Sequence, residues 1–357
     1  MKRFLGVLAA VALVLGLAPG RADALEVVYS YPVATGMNSI HDTEVLAITE
    51  AHPGATIDIT NPFVSCAYAK PLRHAVARGV HVHLYTFAST IGRYRCGPQM
   101  VTLLGSTVGS SVRVCETSCY KEGFGQLHSK TMQITYLNGI RRVFIGSNDW
   151  APGSRTREFN SLVVSSCGRI NDGVHRWFKG MALRKPISFF PKRVRACGQT
   201  LHQFPYPRQT DTDNAWLDTL KHQRCRHEQI HVKASKIQSE MMPVVRRLIE
   251  LRRKGCGVHL IVGTLTGRKV IKVLRRSGLD VRQSGDVNSA HPGIHSHMKE
   301  VLFSHPRCRH SKDLMGSANI GPYWNSENNL LLFPVTQRQC RASMRQWDEI
   351  WRLAHRL

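Results

Sequence analysis

The alternation of apolar and polar residues predicts the same succession of elements twice along the chain. The first copy consists of a strand, a helix and a strand at 56–60, 68–78 and 80–85. The second copy consists of a strand, a helix and a strand at 229–232, 241–253 and 258–262. Strand, helix and strand at this spacing predict a βαβ unit in each half, with parallel strands and a right-handed crossover.

Each half continues with a further strand and then a hairpin. The further strands are predicted at 111–115 and 279–282. In the first half, a β-rich run at 131–137 leads into Asn138-Gly139, a strong signal for a tight hairpin turn, and the chain returns at 142–145. The corresponding loop of the second half is longer and contains Cys308, so a disulfide could pin it.

A set of polar residues recurs around these hairpins. The first copy comprises His128, Lys130, Gly146, Ser147, Asn148, Asp149, Glu158 and Asn160. The second copy comprises His297, Lys299, Gly316, Ser317, Ala318, Asn319, Glu327 and Asn329. The offset is 169 residues for the His, Lys and Glu pairs and 170 for the Gly pair. Such agreement indicates an internal repeat. A repeat predicts that the fold is built from two similar units.

The paired H-x-K and G-S-x-N elements resemble the phospholipase D superfamily, in which two half-sites form a single active centre. The resemblance covers most of the chain beyond its first few dozen residues. It implies an α/β fold of two similar lobes, each with a mixed, mostly parallel β-sheet flanked by helices, related by a pseudo-two-fold axis. It also implies one active site within a single chain, no cofactor and no metal. The family pattern usually has Asp five residues after the Lys, where this chain has Thr135 and Ser304.

The repeated residue types suit cleavage of a phosphodiester. That reaction needs a nucleophile, an acid for the departing alkoxide and positive charge around the phosphoryl oxygens. The resemblance implies that His128 attacks phosphorus to form a phosphohistidine and that His297 is the general acid. Lys130 and Lys299 would bind the non-bridging oxygens, since residues two apart in a strand point to the same face.

Several neighbours of these residues are expected to complete the site. Ser147, Asn148, Ser317 and Asn319 are the expected phosphate-binding residues, and Glu158 and Glu327 are expected to orient the two His rings. In the first copy, either Asp149 takes the Asn position of G-S-x-N or Asn148 serves instead. We expect Asn148, because Asp would add negative charge beside a phosphate. His295 and His297 suggest a metal pair, but the first copy has no counterpart.

The N-terminus predicts export. Lys2-Arg3, an apolar run at 4–17 and the small-x-small site Ala22-Asp23-Ala24 predict a signal peptide at 1–24 and a secreted protein that begins near Leu25. The expected domains are a first lobe at 25–185, a proline-containing linker at 186–225 and a second lobe at 226–357. Ten Cys in an exported chain predict disulfides rather than metal thiolates, with Cys115 and Cys119 close enough to pair.

Net charge predicts a negatively charged partner. The formal charge is +25, and removal of 1–24, with its three Lys or Arg and one Asp, leaves +23. The leading expectation is a phospholipid membrane surface, with hydrolysis to phosphatidate and a head-group alcohol or transfer to another alcohol, aided by aromatic segments at 189–190, 204–206 and 322–324. Nucleic acid is the alternative, cleaved at the same paired-His site. A binding protein with a decayed site ranks last, because no His or Lys of the motifs is lost.

Overall fold

The computed structural model describes residues 25–32, 39–120, 122–123, 125–205, 214–225, 227–285, 293–321 and 326–357. The predicted signal peptide lies outside the described residues. The strands of the first half are β1 (Leu25–Tyr29), β2 (Thr56–Thr60), β3 (His81–Phe87), β4 (Ser111–Cys115), β5 (Thr131–Thr135), β6 (Arg141–Gly146), β7 (Glu158–Phe159) and β8 (Ser161–Ser165). Its helices are α1 (Ser39–Glu50), α2 (Cys66–Ala77), α3 (Ala88–Ile91), α4 (Cys96–Ser106), α5 (Pro152–Thr156) and α6 (Gly168–Ala182).

The second half continues the same alternation of strands and helices. Its strands are β9 (Arg193–Ala196), β10 (Gln199–Phe204), β11 (Gln229–Ala234), β12 (Gly257–Gly263), β13 (Asp280–Ser284), β14 (His295–Ser296), β15 (Lys299–Ser304), β16 (Lys312–Gly316), β17 (Asn328–Pro334) and β18 (His355–Arg356). Its helices are α7 (Ala215–Lys221), α8 (Met242–Arg253), α9 (Arg268–Arg276) and α10 (Gln337–Leu353). Among all these described helices, none is both long and apolar enough to cross a bilayer.

Two large sheets repeat one strand order. The first runs β1-β8-β6-β5-β2-β3-β4, and the second runs β18-β13-β12-β11-β15-β16-β17-β10-β9. The core order β8-β6-β5-β2-β3-β4 matches β17-β16-β15-β11-β12-β13, which confirms two similar α/β lobes with mixed sheets flanked by helices. The expectation of mostly parallel sheets needs correction. Within the described strands of the two large sheets, only β2-β3-β4 and β11-β12-β13 pair in parallel, because only these strands are joined by crossovers.

The segment at 186–225, predicted as a linker, contains ordered elements. Strand β10 pairs with β17 from Thr200 opposite Leu332 to Phe204 opposite Asn328, and β9 adds an edge strand beside it. Helix α7 follows, capped by the Asn214 side chain. The prolines that suggested a linker are compatible with this hairpin, because β9 lies at the edge of the sheet and Pro205 follows the end of β10.

All ten Cys pair, as the even count predicted. The five disulfides are Cys66–Cys96, Cys115–Cys119, Cys167–Cys197, Cys225–Cys256 and Cys308–Cys340. The fifth pins the longer hairpin loop of the second half to α10, as expected. The third joins the start of α6 to the β9–β10 turn, and therefore connects the two halves.

Three apolar clusters hold these layers together. One lies between the first sheet and α1, α2 and α4, and a second lies between the second sheet and α7, α8 and α9. The third contains residues of both halves, including Trp177 of α6, Leu302 of β15 and Trp347 of α10. The two sheets are thus packed into one molecule through a shared core, which fixes the relative positions of their loop edges.

Candidate active site

Two short parallel pairings between the halves bring the motif residues together. Strand β14 pairs with β7, so His295 lies opposite Glu158 and Ser296 opposite Phe159. The second pairing joins Leu127 to Glu327. Because His297 and His128 directly follow Ser296 and Leu127, each His begins its hairpin beside a backbone segment of the other half.

Two residues after each His, a Lys lies beside the carboxyl end of a neighbouring central strand. Lys299 pairs with Ala234, the last residue of β11, and Thr131, the residue after Lys130, pairs with Thr60, the last residue of β2. The loops that follow parallel strands meet at this edge of an α/β sheet, where ligands bind in such folds. The structure therefore brings all four predicted catalytic residues to the carboxyl edges of the two parallel segments.

His297 faces two carboxylates of the first half. Its Nδ1 lies 3.5 Å from Oε2 of Glu158, and its Nε2 lies 3.8 Å from Oδ2 of Asp149. Burial, followed by the nearby Lys299 charge, lowers the pKa of His297 to about 4, while Glu158 and Asp149 act in the opposite direction. His297 is therefore neutral near pH 7.

His128 faces an amide instead of a carboxylate. Its Nδ1 lies 3.0 Å from Oδ1 of Asn328. Since this amide oxygen only accepts, Nδ1 carries the proton and Nε2 keeps its lone pair. Burial, then the charges of Lys130 and Lys299, holds the pKa of His128 well below its ordinary value, and His297 contributes in the same direction. The ring is thus a neutral imidazole with an available nitrogen.

The two Lys side chains are buried and mutually repulsive. Lys130 Nζ donates to the carbonyl of His128 at 2.7 Å, and Lys299 Nζ donates to the carbonyl of His297. Burial and the charge of Lys130 lower the pKa of Lys299 well below its ordinary value. A bound anion would relieve this repulsion, so the pair favours a negatively charged ligand.

Asp149, and not Asn148, reaches the site. Asp149 Oδ1 lies 3.0 Å from Lys130 Nζ. The Nδ2 atom of Asn148 instead donates to Glu44 Oε2 at 2.9 Å, in a buried network with Tyr68 and Trp150. The expectation that Asn148 binds phosphate is therefore corrected: Asn148 turns toward the helix side of the first sheet because the buried Glu44 takes its amide.

The two motif Ser residues support the loops around the site. Ser147 Oγ donates to Asn160 Oδ1 at 2.8 Å, and Ser317 Oγ donates to Asn328 Oδ1 at 3.2 Å. Both Ser side chains are fully buried. Ser317 thereby supports the same amide that contacts His128. Asn319, the counterpart of Asp149, accepts a hydrogen bond from the Ser235 hydroxyl after β11.

The two predicted orienting carboxylates occupy different positions. Glu158 lies beside His297, the His of the opposite copy, and accepts a hydrogen bond from Ser154 at 2.6 Å. Burial alone would raise the pKa of Glu158, but His297 and the hydrogen bonds from His295 and Ser154 lower it below its ordinary value. Glu327 instead accepts from the Ser118 hydroxyl and, at 3.1 Å, from the Tyr120 amide. Burial raises the pKa of Glu327 to about 7.

Strand pairing explains this difference. Gly146 pairs with Leu162 and Gly316 pairs with Leu330, so the strands that follow the motifs are offset by 168 residues rather than 169. In this register Asn328 corresponds to Asn160, and Ser326 corresponds to Glu158. The sequence repeat therefore aligns Glu158 with Glu327, whereas the strand register aligns Glu158 with Ser326, one residue earlier.

Sequence reasoning missed Asn328 and considered His295 only as half of a metal pair. Asn328 sits next to an acidic residue that matched the family pattern better, so nothing in the sequence singled it out. His295, whose Nε2 lies 3.5 Å from Oε1 of Glu158, is the second imidazole on that carboxylate. The His295-Ser296-His297 spacing was a usable signal, since alternate residues of a strand share a face.

Neither the family models nor the curated proteins contain a match to this chain. Solved structures do resemble it in fold. Phosphatidylserine synthase of Haemophilus influenzae matches with a TM-score of 0.63 and 12% identity, over 94% of this chain and 88% of that one. Yeast tyrosyl-DNA phosphodiesterase matches with a TM-score of 0.53 and 9% identity, over 88% and 89%. Polyphosphate kinase of Porphyromonas gingivalis matches with a TM-score of 0.61 and 13% identity, over 90% of this chain and 49% of that one, so this chain spans about half of the kinase.

The synthase and the tyrosyl-DNA phosphodiesterase are phospholipase D superfamily proteins. This chain therefore has the two-lobed fold of that superfamily, as its repeated motifs predicted. At 9–13% identity, these matches show the fold of this chain.

Proposed function

We propose that the protein is an exported hydrolase of phosphodiesters that works in two steps through a phosphohistidine on His128. The single observation that carries the proposal is that the two His and the two buried Lys lie at the carboxyl edges of the parallel segments of the two sheets, where Asp149 contacts both Lys130, at 3.0 Å, and His297, at 3.8 Å. Such a group supplies a nucleophile, an acid and fixed positive charge, the three requirements of the reaction.

The amide beside His128 supports its role as nucleophile. In the first step, Nε2 of His128 attacks phosphorus and the bond from phosphorus to the leaving alcohol oxygen breaks. The Asn328 oxygen keeps the proton on Nδ1 and adds no negative charge, so nothing draws a second proton onto the attacking ring. The lowered pKa of His128 keeps that ring neutral across the physiological range.

The carboxylate beside His297 supports its role as general acid. A bound phosphodiester anion would offset the Lys charges that lower the pKa of His297, and Glu158 would stabilise the resulting imidazolium. His297 then gives its proton to the departing alkoxide. In the second step, neutral His297 takes a proton from water as the water oxygen attacks phosphorus and the bond to His128 breaks. Two displacements give net retention at phosphorus.

Two substrate classes follow from the sequence, namely phospholipid and nucleic acid. Likeness to a phosphatidylserine synthase is compatible with the first, which would yield phosphatidate and a head-group alcohol. The aromatic segments expected to enter a bilayer give it little support. Phe190 and Phe204 are buried, Phe189 is 37% exposed, and 206 and 322–324 lie outside the described residues. The phosphohistidine step itself is common to both classes.

Trapping the intermediate tests the proposal. Protein would be mixed with bis(p-nitrophenyl) phosphate in the presence of a chelator, quenched, digested and examined by mass spectrometry. We expect a phosphoryl adduct on His128 in the wild type. His297→Ala should retain the adduct, since p-nitrophenolate leaves without a proton, and His128→Ala should lose both adduct and turnover. His52 is exposed in the turn between α1 and β2, outside the motifs, and His52→Ala provides the control. A normal adduct in His128→Ala would overturn the assignment of roles.

A further inference from the structure

Helix α9 carries a row of exposed positive charges, here called the basic stripe. The stripe consists of Arg268, Lys269, Lys272, Arg275 and Arg276. At 3.6 residues per turn, these five positions fall within about 120° of the helix circumference and extend about 12 Å along its axis. In the described part of the chain, no carboxylate forms an ion pair with any of the five. Their charge is therefore available to an external partner.

Burial of the opposite face shows that the stripe points outward. Val270 and Leu274 are fully buried against the second sheet, and Ile271 and Val273 are partly buried. The sequence from 251 to 279 contains eight Lys or Arg and no Asp or Glu. Glu250, which precedes this segment, forms an ion pair with Lys254, whereas the five cations of the stripe have no such partner among the described residues. An uncancelled positive field of this kind attracts polyanions.

The other half of the molecule shows that the fold does not require the stripe. Helix α4 lies between the parallel strands β3 and β4, as α9 lies between β12 and β13. Its sequence, Cys96–Ser106, contains no charged residue. Since α4 covers its sheet without any cation, the five on α9 serve something other than the packing of this helix.

The direction of α9 connects the stripe to the active site. The crossover from β12 to β13 leaves the carboxyl edge of the sheet and returns to the amino edge, so α9 starts at the edge that holds Lys299. At that start, the Gly267 amide donates to the carbonyl of Ile237, and Ile237 pairs with Ile320, the residue after Asn319. The stripe thus begins near the site and leads away from it.

We propose that the basic stripe binds the phosphate backbone of a nucleic-acid strand, one phosphodiester of which lies between His128 and His297. This inference rests on the proposed function and names its substrate class. A flexible strand can follow the stripe over its whole length. A bilayer that covers the active-site edge would contact the start of α9 only, with Leu265, 74% exposed, as the apolar side chain there.

Binding measurements on a catalytically inactive background test the stripe. In His128→Ala, a labelled 20-nucleotide single strand would be titrated at several salt concentrations, alone and with Lys272→Gln/Arg275→Gln/Arg276→Gln. A matched control removes three exposed cations from α6 of the first half, as Arg169→Gln/Arg176→Gln/Lys179→Gln. We expect the stripe variant to bind roughly tenfold more weakly and its salt slope to fall by about 2, and the control to change far less. Unchanged thermal unfolding of both variants checks their folding.

Two outcomes would overturn the inference. One is equal weakening by the stripe and α6 variants, which would mean that only net charge matters. The other is loss of binding to phosphatidylglycerol vesicles with retained DNA binding, which would make α9 a membrane-binding surface.

Turnover by the intact enzyme separates this inference from the proposed function. If bis(p-nitrophenyl) phosphate is not cleaved by the wild type, the proposed function fails. If it is cleaved, but the ratio of oligonucleotide to small-diester cleavage is unchanged by the stripe variant, the stripe inference alone fails.

Discussion

The two halves share one strand order but surround their His residues with different chemistry. His297 of the second half faces the Glu158 carboxylate, and His128 of the first half faces the Asn328 amide. A carboxylate stabilises an imidazolium, whereas an amide oxygen only fixes a tautomer. Glu158 and Asn328 are not counterparts in the strand register, since Asn328 corresponds to Asn160 and Ser326 to Glu158. The comparison shows that the two halves support their imidazoles from different positions of the repeated fold.

A second difference lies one residue beyond Lys130 and Lys299. Lys233 pairs with Glu300 in the second sheet, where the first sheet pairs Thr60 with Thr131. The Lys233 Nζ and Glu300 Oε1 atoms are 2.6 Å apart, and both side chains are fully buried. The same register thus accepts either two hydroxyls or an ion pair.

Breaking this ion pair should have the largest effect on stability. Lys233→Met leaves the Glu300 carboxylate buried without its cation, and we expect a loss of about 3–5 kcal/mol in the free energy of unfolding. Lys233→Met/Glu300→Gln removes both charges and should recover most of that loss. Urea unfolding with the disulfides intact would measure both values. Equal destabilisation of the single and double variants would show that packing, and not the uncompensated charge, matters at this position.

The next largest effect should come from Glu158→Gln. Loss of this carboxylate removes the larger of the two charges that raise the pKa of His297, the other being Asp149, so protonated His297 becomes scarcer. Since the acid is active below its pKa, the basic limb of the kcat profile should move to lower pH. We expect kcat at pH 7 to fall about 100-fold on a substrate with a poor leaving group.

Glu327→Gln provides the matched comparison for that experiment. Glu327 contacts Ser118 and Tyr120. We therefore expect its pH profile to stay close to that of the wild type. If Glu327→Gln lowers kcat as much as Glu158→Gln does, then Glu327 does orient a His ring, as the sequence repeat predicted.

A smaller effect is expected from exchanging the counterparts Asp149 and Asn319. Asp149→Asn frees Lys130 from a carboxylate at 3.0 Å, so the KM for an anionic diester and the inhibition constant of inorganic phosphate should both fall, by about tenfold or 1.4 kcal/mol. Asn319→Asp should raise both constants. If Asp149→Asn weakens phosphate binding instead, Asp149 contributes to the site in another way, for example by holding Lys130 in position.

Much of the fold was predictable because its signals are local or repeated. Strands β2 and β4 have the predicted bounds, and the β5–β6 hairpin forms around Asn138-Gly139 as expected. The repeat correctly predicted two lobes of the same order. Mostly parallel sheets were predicted wrongly, because the βαβ pattern describes only three strands of each sheet. The β9–β10 hairpin was missed, because its contacts are with β17, over a hundred residues away.

The site was predictable in its residue types but less so in its partners. Repetition singled out His128, Lys130, His297 and Lys299, and the structure places them at the carboxyl edges of the two parallel segments; their catalytic roles stay a prediction. Which residue contacts each His depends on strand register, and counting along the sequence cannot detect that β17 is shifted by one residue relative to β8. The choice between Asn148 and Asp149 depended in turn on the buried Glu44, which no motif connects to the site.

The short pairings of β7 with β14 and of Leu127 with Glu327 have a consequence for how this protein can evolve. Each imidazole takes its supporting group from the opposite copy, so a change in either copy alters the chemistry of the other. The duplicated halves cannot diverge as independent genes would. A substitution near one His must therefore be compatible with the segment of the other half that contacts it, or be accompanied by a compensating change in that segment.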